Sequence, residues 1–114
     1  METCYTHTAT ITSRQPGPMT RCLKALADEL GKEARVLYEA VWLLAALGDC
    51  LVKAVPRSPT PPTRLSELPL GIIPAVAVEL TVSCRDAESL VASVEKIMRI
   101  IRGKCSDVLI TPHP

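Results

Sequence analysis

Five cysteines and two histidines are the side chains of this sequence most able to do chemistry, and their spacing argues against most of it. Cys4, Cys22, Cys50, Cys84 and Cys105 stand singly, without the close pairs that a structural zinc or a thioredoxin-like redox site requires. Their odd number, with no secretory leader, predicts reduced thiols in a cytoplasmic protein, structural rather than catalytic. A Cys–His nucleophile would need Cys4, Cys84 or Cys105 beside His7 or His113, and no nearby residue stands ready to orient the base. His7 falls on the apolar side of an alternating stretch, where a lone His is more often packed and hydrogen-bonded than a ligand. Asp28, Glu29, Glu33 and Glu39 lie among Lys24, Lys32 and Arg35 at helical spacing, which ion pairing along one helix explains without a general acid or base. Gly17, Gly31, Gly48, Gly71 and Gly103 are too scattered for a phosphate loop or a dinucleotide fingerprint. These patterns predict no catalytic, cofactor or metal site.

The most suggestive polar group is a cationic run, Arg85, Lys96, Arg99, Arg102 and Lys104, which could hold an RNA backbone. Glu88 and Glu95 share its helix, and 3% aromatic content leaves few rings to stack on bases. A charged outer helix face with favourable dipole contacts accounts for the run more simply. The whole chain, with 13 basic against 12 acidic residues, has a balance of +1 and no bulk attraction to nucleic acid or anionic membrane. Asn is absent and Gln15 is the only Gln, which suits a heat-adapted source, although five Cys count against one.

The elements that must position these groups are clearest toward the C-terminus. Val76, Val78, Leu80, Val82 and Cys84 alternate with Ala77, Glu79, Thr81 and Ser83, the pattern of a half-buried strand. The period changes at Asp86, a helix cap, and Leu90, Val91, Val94, Ile97, Met98 and Ile101 then form an apolar stripe. Gly103 ends that helix, and residues 107–111 read as a short final strand. Near the N-terminus Tyr5, His7, Ala9 and Ile11 alternate with Thr6, Thr8, Thr10 and Thr12, a first strand.

Between them, leucines at 23, 30, 37 and 44 repeat every seven residues and predict one long helix over 19–47. Unbroken, it would be roughly 43 Å long, more than a small sheet can cover, so it either breaks near Gly31 or overhangs. Its second half is apolar all round and wants cover on both sides, yet it is too short to span a bilayer. Another helix or a second subunit would supply the cover, with Tyr38 and Trp42 as anchors. A wholly internal core would serve as well. Gly48 would end the helix, and residues 50–55 read as a strand stopped by Pro56. The Pro-rich stretch 56–74 reads as a long loop insertion whose Leu65, Leu68, Leu70, Ile72 and Ile73 pack back on the domain or a partner.

The order strand, helix, strand, strand, helix, strand predicts a single α+β domain over 1–114. Its expected form is a ferredoxin-like βαββαβ sandwich, an antiparallel sheet with two helices on one face. The opposite sheet face would carry Thr6, Thr8, Thr10, Glu79 and Thr81, either wet or paired with another sheet.

Residues 78–101, from Val78-Glu79-Leu80-Thr81-Val82 through Cys84-Arg85-Asp86 to Arg99-Ile100-Ile101, resemble the strand, Asp and helix segment of the small dimerising subunit of KEOPS. That complex makes threonylcarbamoyladenosine in tRNA. Of the family's Leu-Arg-Ala and later Asn-Ser and Arg, Leu90, Ala92 and Arg99 match, whereas Val91 replaces the Arg and Glu95-Lys96 the Asn-Ser. The long first helix, the Pro-rich loop and the final strand depart from the family. The resemblance implies a non-catalytic scaffold that pairs with a second copy and a larger catalytic subunit, with tRNA as a candidate contact.

The expected function is thus a non-enzymatic assembly subunit, a homodimer or part of a larger complex away from membranes, bound in a tRNA-modification assembly. Its interface would comprise Tyr38, Val41, Trp42, Leu44 and Leu47 with Ile97 and Ile101 of the last helix. The alternative is a small-molecule-binding regulatory domain of the same fold type.

Overall fold

The computed structural model describes residues 4–39, 42–57 and 76–112. They form β1 (Tyr5–Ser13), α1 (Pro16–Leu30), β2 (Arg35–Glu39), β3 (Trp42–Leu47), β4 (Cys50–Arg57), β5 (Val76–Cys84), α2 (Ala87–Lys104) and β6 (Val108–Pro112). All strand pairs are antiparallel, in one six-stranded sheet of order β2-β3-β4-β5-β1-β6. The expectation of a simple ferredoxin-like βαββαβ sandwich is therefore wrong in strand count and strand order. The architecture is α+β, but β2 and β3 pair antiparallel where a continuing helix was expected, and they extend the sheet by two strands.

The physical reason lies in the apolar run itself. A segment with large apolar residues on every side has no period to separate helix from strand. In β3, Leu43 and Ala45 point inward while Trp42, Leu44 and Ala46 point outward, so both faces of a strand produce the all-round apolarity. The helix breaks at the glycine that offered a break. Gly31 donates its N–H to the Ala27 carbonyl oxygen at 2.8 Å, and a Cβ on Gly31 would lie only 3.0 Å from that oxygen. Gly48 serves a turn rather than a helix end. Its φ of +60° opens the two-residue connection between Leu47 and Cys50, the glycine-first geometry that hairpin twist favours.

Alternation decides which residues meet the helices. Ala9, Ile11, Leu43, Ala45, Val52, Ala54, Val78, Leu80 and Val82 line the inner face, and His7 stands on it opposite Val82. From α1, Met19, Cys22, Leu23, Leu26 and Leu30 close over this face, spaced as one helical stripe. From α2 come Ser93, Ile97 and Ile101. Val91, expected on that stripe, is exposed instead. The helix starts where Asp86 predicted: its carboxylate accepts the Ser89 N–H at 2.7 Å and the Ser89 hydroxyl at 2.9 Å. It ends two residues later than expected, with Gly103 still helical and Cys105 as the extended cap. Pro56 does not stop β4. It pairs opposite Val78, beyond Ala54, the last β4 residue paired with β3, where a missing N–H breaks no ladder bond.

The cysteines also depart from expectation. Cys50 and Cys84 lie directly opposite one another on β4 and β5, with Cα atoms 4.2 Å apart, and form a disulfide. Cys22 of α1 is bonded to Cys105 just past α2, with Cα atoms 4.8 Å apart. Only Cys4 is a free thiol. The pairings join residues 34 and 83 positions apart, so linear spacing hid them. The Pro-rich stretch beyond Arg57, Val41 and His113 lie outside the described residues.

Two outcomes follow for stability and thiol state. The two bonds from Ser89, the backbone one first, hold the Asp86 carboxyl below the usual carboxylate range. A lowered pKa contributes stability that is complete above the unfolded value and lost as pH falls through the folded one. Asp86→Ala should therefore lower the melting temperature near neutral pH, with a deficit that shrinks below about pH 4. A deficit unchanged in strong acid would show that the carboxylate charge is not its source. Thiol titration of unfolded, unreduced protein should find one reactive thiol, rising to five on reduction. Five before reduction would remove both disulfides.

Candidate functional site

Both helices cover the same side of the sheet, and among the described residues no element covers the other. Register fixes what that bare face presents. One row runs Thr8, Thr81, Lys53, Leu44, Leu37, and the next Thr6, Ser83, Leu51, Ala46, Arg35. The half built by β1 and β5 is hydroxylic, with Thr6 Oγ1 and Ser83 Oγ 3.3 Å apart, as the alternation of Thr residues predicted. The half built by β2, β3 and β4 is largely apolar, with Arg35, Glu39 and Lys53 as its charges. Leu37 is 71% exposed, Trp42 55%, Leu51 46% and Leu44 40%, and all four belong to this one surface. Leu37 pairs with Leu44, Glu39 with Trp42 and Ala46 with Leu51, while Lys53 stands opposite Leu44, so three adjacent strands contribute. A groove of about 480 Å³ lies along it, lined by Leu37, Trp42, Leu44, Lys53 and Val55 among others.

The expected interface residues divide. Trp42 and Leu44 are open to a partner on this face. Tyr38 and Leu47 turn the other way and pack, half-buried, against the core. The Tyr38 hydroxyl donates to the Thr20 carbonyl oxygen at 3.3 Å, which ties β2 to α1. Partial burial first, and the Asp28 carboxylate second, push its pKa above the ordinary 10.0, so the phenol stays a neutral donor. Ile97 and Ile101, 0% and 3% exposed, belong to the chain's own core and offer no surface. Leu37 and Leu51 went unnoticed as surface residues, because a helical reading of 19–47 places Leu37 on a buried stripe, and strand register alone reveals its neighbours.

The cationic run is not one patch. Lys96 is ion-paired with Glu33, at the turn following α1. Arg99, Arg102 and Lys104 are exposed near the C-terminal end of α2. Arg85 precedes the same helix, and 18 helical residues at 1.5 Å each put about 27 Å between the two ends. Of the acidic residues in and after α1, Glu29 pairs with Lys32 at 3.1 Å. Among the described residues no cluster of three or more His, Cys, Asp or Glu could hold a metal ion, and no helix is long and apolar enough to cross a membrane. No protein-family model matches this chain, and no curated protein matches it.

Proposed function

We propose that this chain is a non-catalytic assembly subunit that docks, first of all on a second copy of itself, through the bare apolar half of its sheet. The observation that carries the reading is the continuity of Leu37, Trp42, Leu44 and Leu51 over three neighbouring strands. Scattered exposed apolar residues need no explanation, whereas a contiguous patch with an aromatic anchor is the composition of an interface centre. Covering such side chains contributes at most about 1.5–3 kcal/mol each. A tRNA-modification assembly as the setting rests on the resemblance of residues 78–101 to the small KEOPS subunit, and Arg99, Arg102 and Lys104 are the cations that would face RNA. A cytoplasmic location belongs to the same reading, and the two disulfides weigh against it. The groove beside Trp42 supports a second reading, an apolar ligand held as in a regulatory domain.

Light scattering over a concentration series separates these. The wild type should weigh as a dimer, and Leu44→Asp or Trp42→Asp should shift it to monomer with an unchanged circular dichroism spectrum. A monomeric wild type, or variants that stay dimeric, would sink docking through this face. A small molecule that raises the melting temperature without altering mass would favour the ligand reading. Added tRNA should increase the mass less at high salt, with Arg99→Ala and Arg102→Ala each reducing the salt slope by roughly 0.7–0.9. Lys96→Ala should leave that slope unchanged, because Glu33 already holds Lys96.

A further inference from the structure

The sheet has two edges, and they are built differently. The β6 edge begins after Asp107, whose φ is +60°, and ends in Pro112, a residue with no N–H to offer. The β2 edge, Arg35-Val36-Leu37-Tyr38-Glu39, contains no Pro, Gly or Lys and presents its outer backbone groups in extended conformation. An edge of that kind is a template for another strand unless something blunts it. Its only charges stand at its two ends, Arg35 and Glu39, opposite in sign and equidistant from Leu37. Both are exposed on the bare face, and neither has an ion-pair partner among the described residues.

We propose that β2 pairs antiparallel with β2 of a second copy about a two-fold axis through Leu37, joining two six-stranded sheets into one of twelve. The proposal rests on the reading of this chain as a self-associating subunit and places the contact at the sheet edge rather than on the apolar face, which edge pairing leaves open. Directly opposite residues in an antiparallel pair lie on the same sheet face. If both copies keep their helices on the same side, β2 can therefore slip only by steps that preserve inward and outward parity. Centred on Leu37, the register sets Arg35 against Glu39 of the other copy, twice by symmetry, with Val36 against Tyr38 inside and Leu37 against Leu37 outside. Centred on Val36 it sets Arg35 against Leu37, and centred on Tyr38 it sets Glu39 against Leu37. Only one register satisfies both charges. The same register brings the Leu37 and Leu44 rows of the two copies into a single apolar surface across the axis.

Charge exchange tests this with exposed residues whose replacement leaves the core untouched. Arg35→Glu alone and Glu39→Arg alone place like charges opposite each other and should each weaken dimerisation about tenfold, as expected for two reversed cross-strand pairs. The double variant Arg35→Glu/Glu39→Arg restores both pairs and should recover the wild-type dissociation constant in sedimentation equilibrium. Cysteine cross-linking, in a Cys4→Ser background, supplies an independent readout. Leu37→Cys should oxidise to a covalent dimer, because directly opposite residues bring Cα atoms to about 4.5–5.5 Å. Leu44→Cys should not, because three strand spacings of about 4.8 Å separate it from its counterpart. A dimer that ignores the charge exchange and links through Leu44→Cys would overturn edge pairing while leaving face-to-face association intact. A wild type that is monomeric throughout would overturn both.

Discussion

Each strand of this chain must give one of its faces to a pair of helices that lie on a single side of the sheet. Six strands at about 4.8 Å spacing make a sheet about 24 Å across, and two helices side by side cover about 20 Å. The inner face is therefore nearly closed, which is why its residues run down to small or compact aliphatics such as Ala9, Ala45, Ala54 and Val52. Among the described residues, no element of this chain rests on the outer face. Its composition changes across the sheet, from the threonines of β1 and β5 to the exposed Trp42, Leu44 and Leu37 of β3 and β2.

Much of this was legible in the residue order. Strands β1 and β5 alternate cleanly because one side of each is polar, and α2 is marked at its start by an Asp and along its length by one apolar stripe. The β2–β3 pair was not legible for a specific reason. The outward residues of β3 are as apolar as its inward ones, and the leucines at 23, 30, 37 and 44 mimic a heptad although 37 and 44 are cross-strand partners. Periodicity measures the contrast between two faces, and a strand apolar on both has little contrast to measure. The error in fold and the candidate site therefore have one origin.

The candidate site was partly visible for the same reason. Trp42 and Leu44 were singled out because the segment was too apolar to stand alone, an inference independent of whether it is helix or strand. Ile97 and Ile101 were assigned to the interface because the resemblance implies helices that pair with a second copy, and both are buried. The charges of α2 followed the helix face as expected, but the Glu33 partner of Lys96 lies on a different element and no local spacing could indicate it. The cysteines are the same case at greater distance.

Those cysteines alter what it means for this chain to be continuous. Cys22–Cys105 encloses most of the polypeptide in a covalent ring, and Cys50–Cys84 draws a smaller ring inside it around the Pro-rich stretch. A single broken peptide bond anywhere between residues 22 and 105 leaves one molecule, and between 50 and 84 it leaves the two pieces tied twice. New chain ends could be opened within the inner ring while the helices and the sheet stay covalently joined, so the order of the sequence there is less binding on the fold than the graph of its bonds.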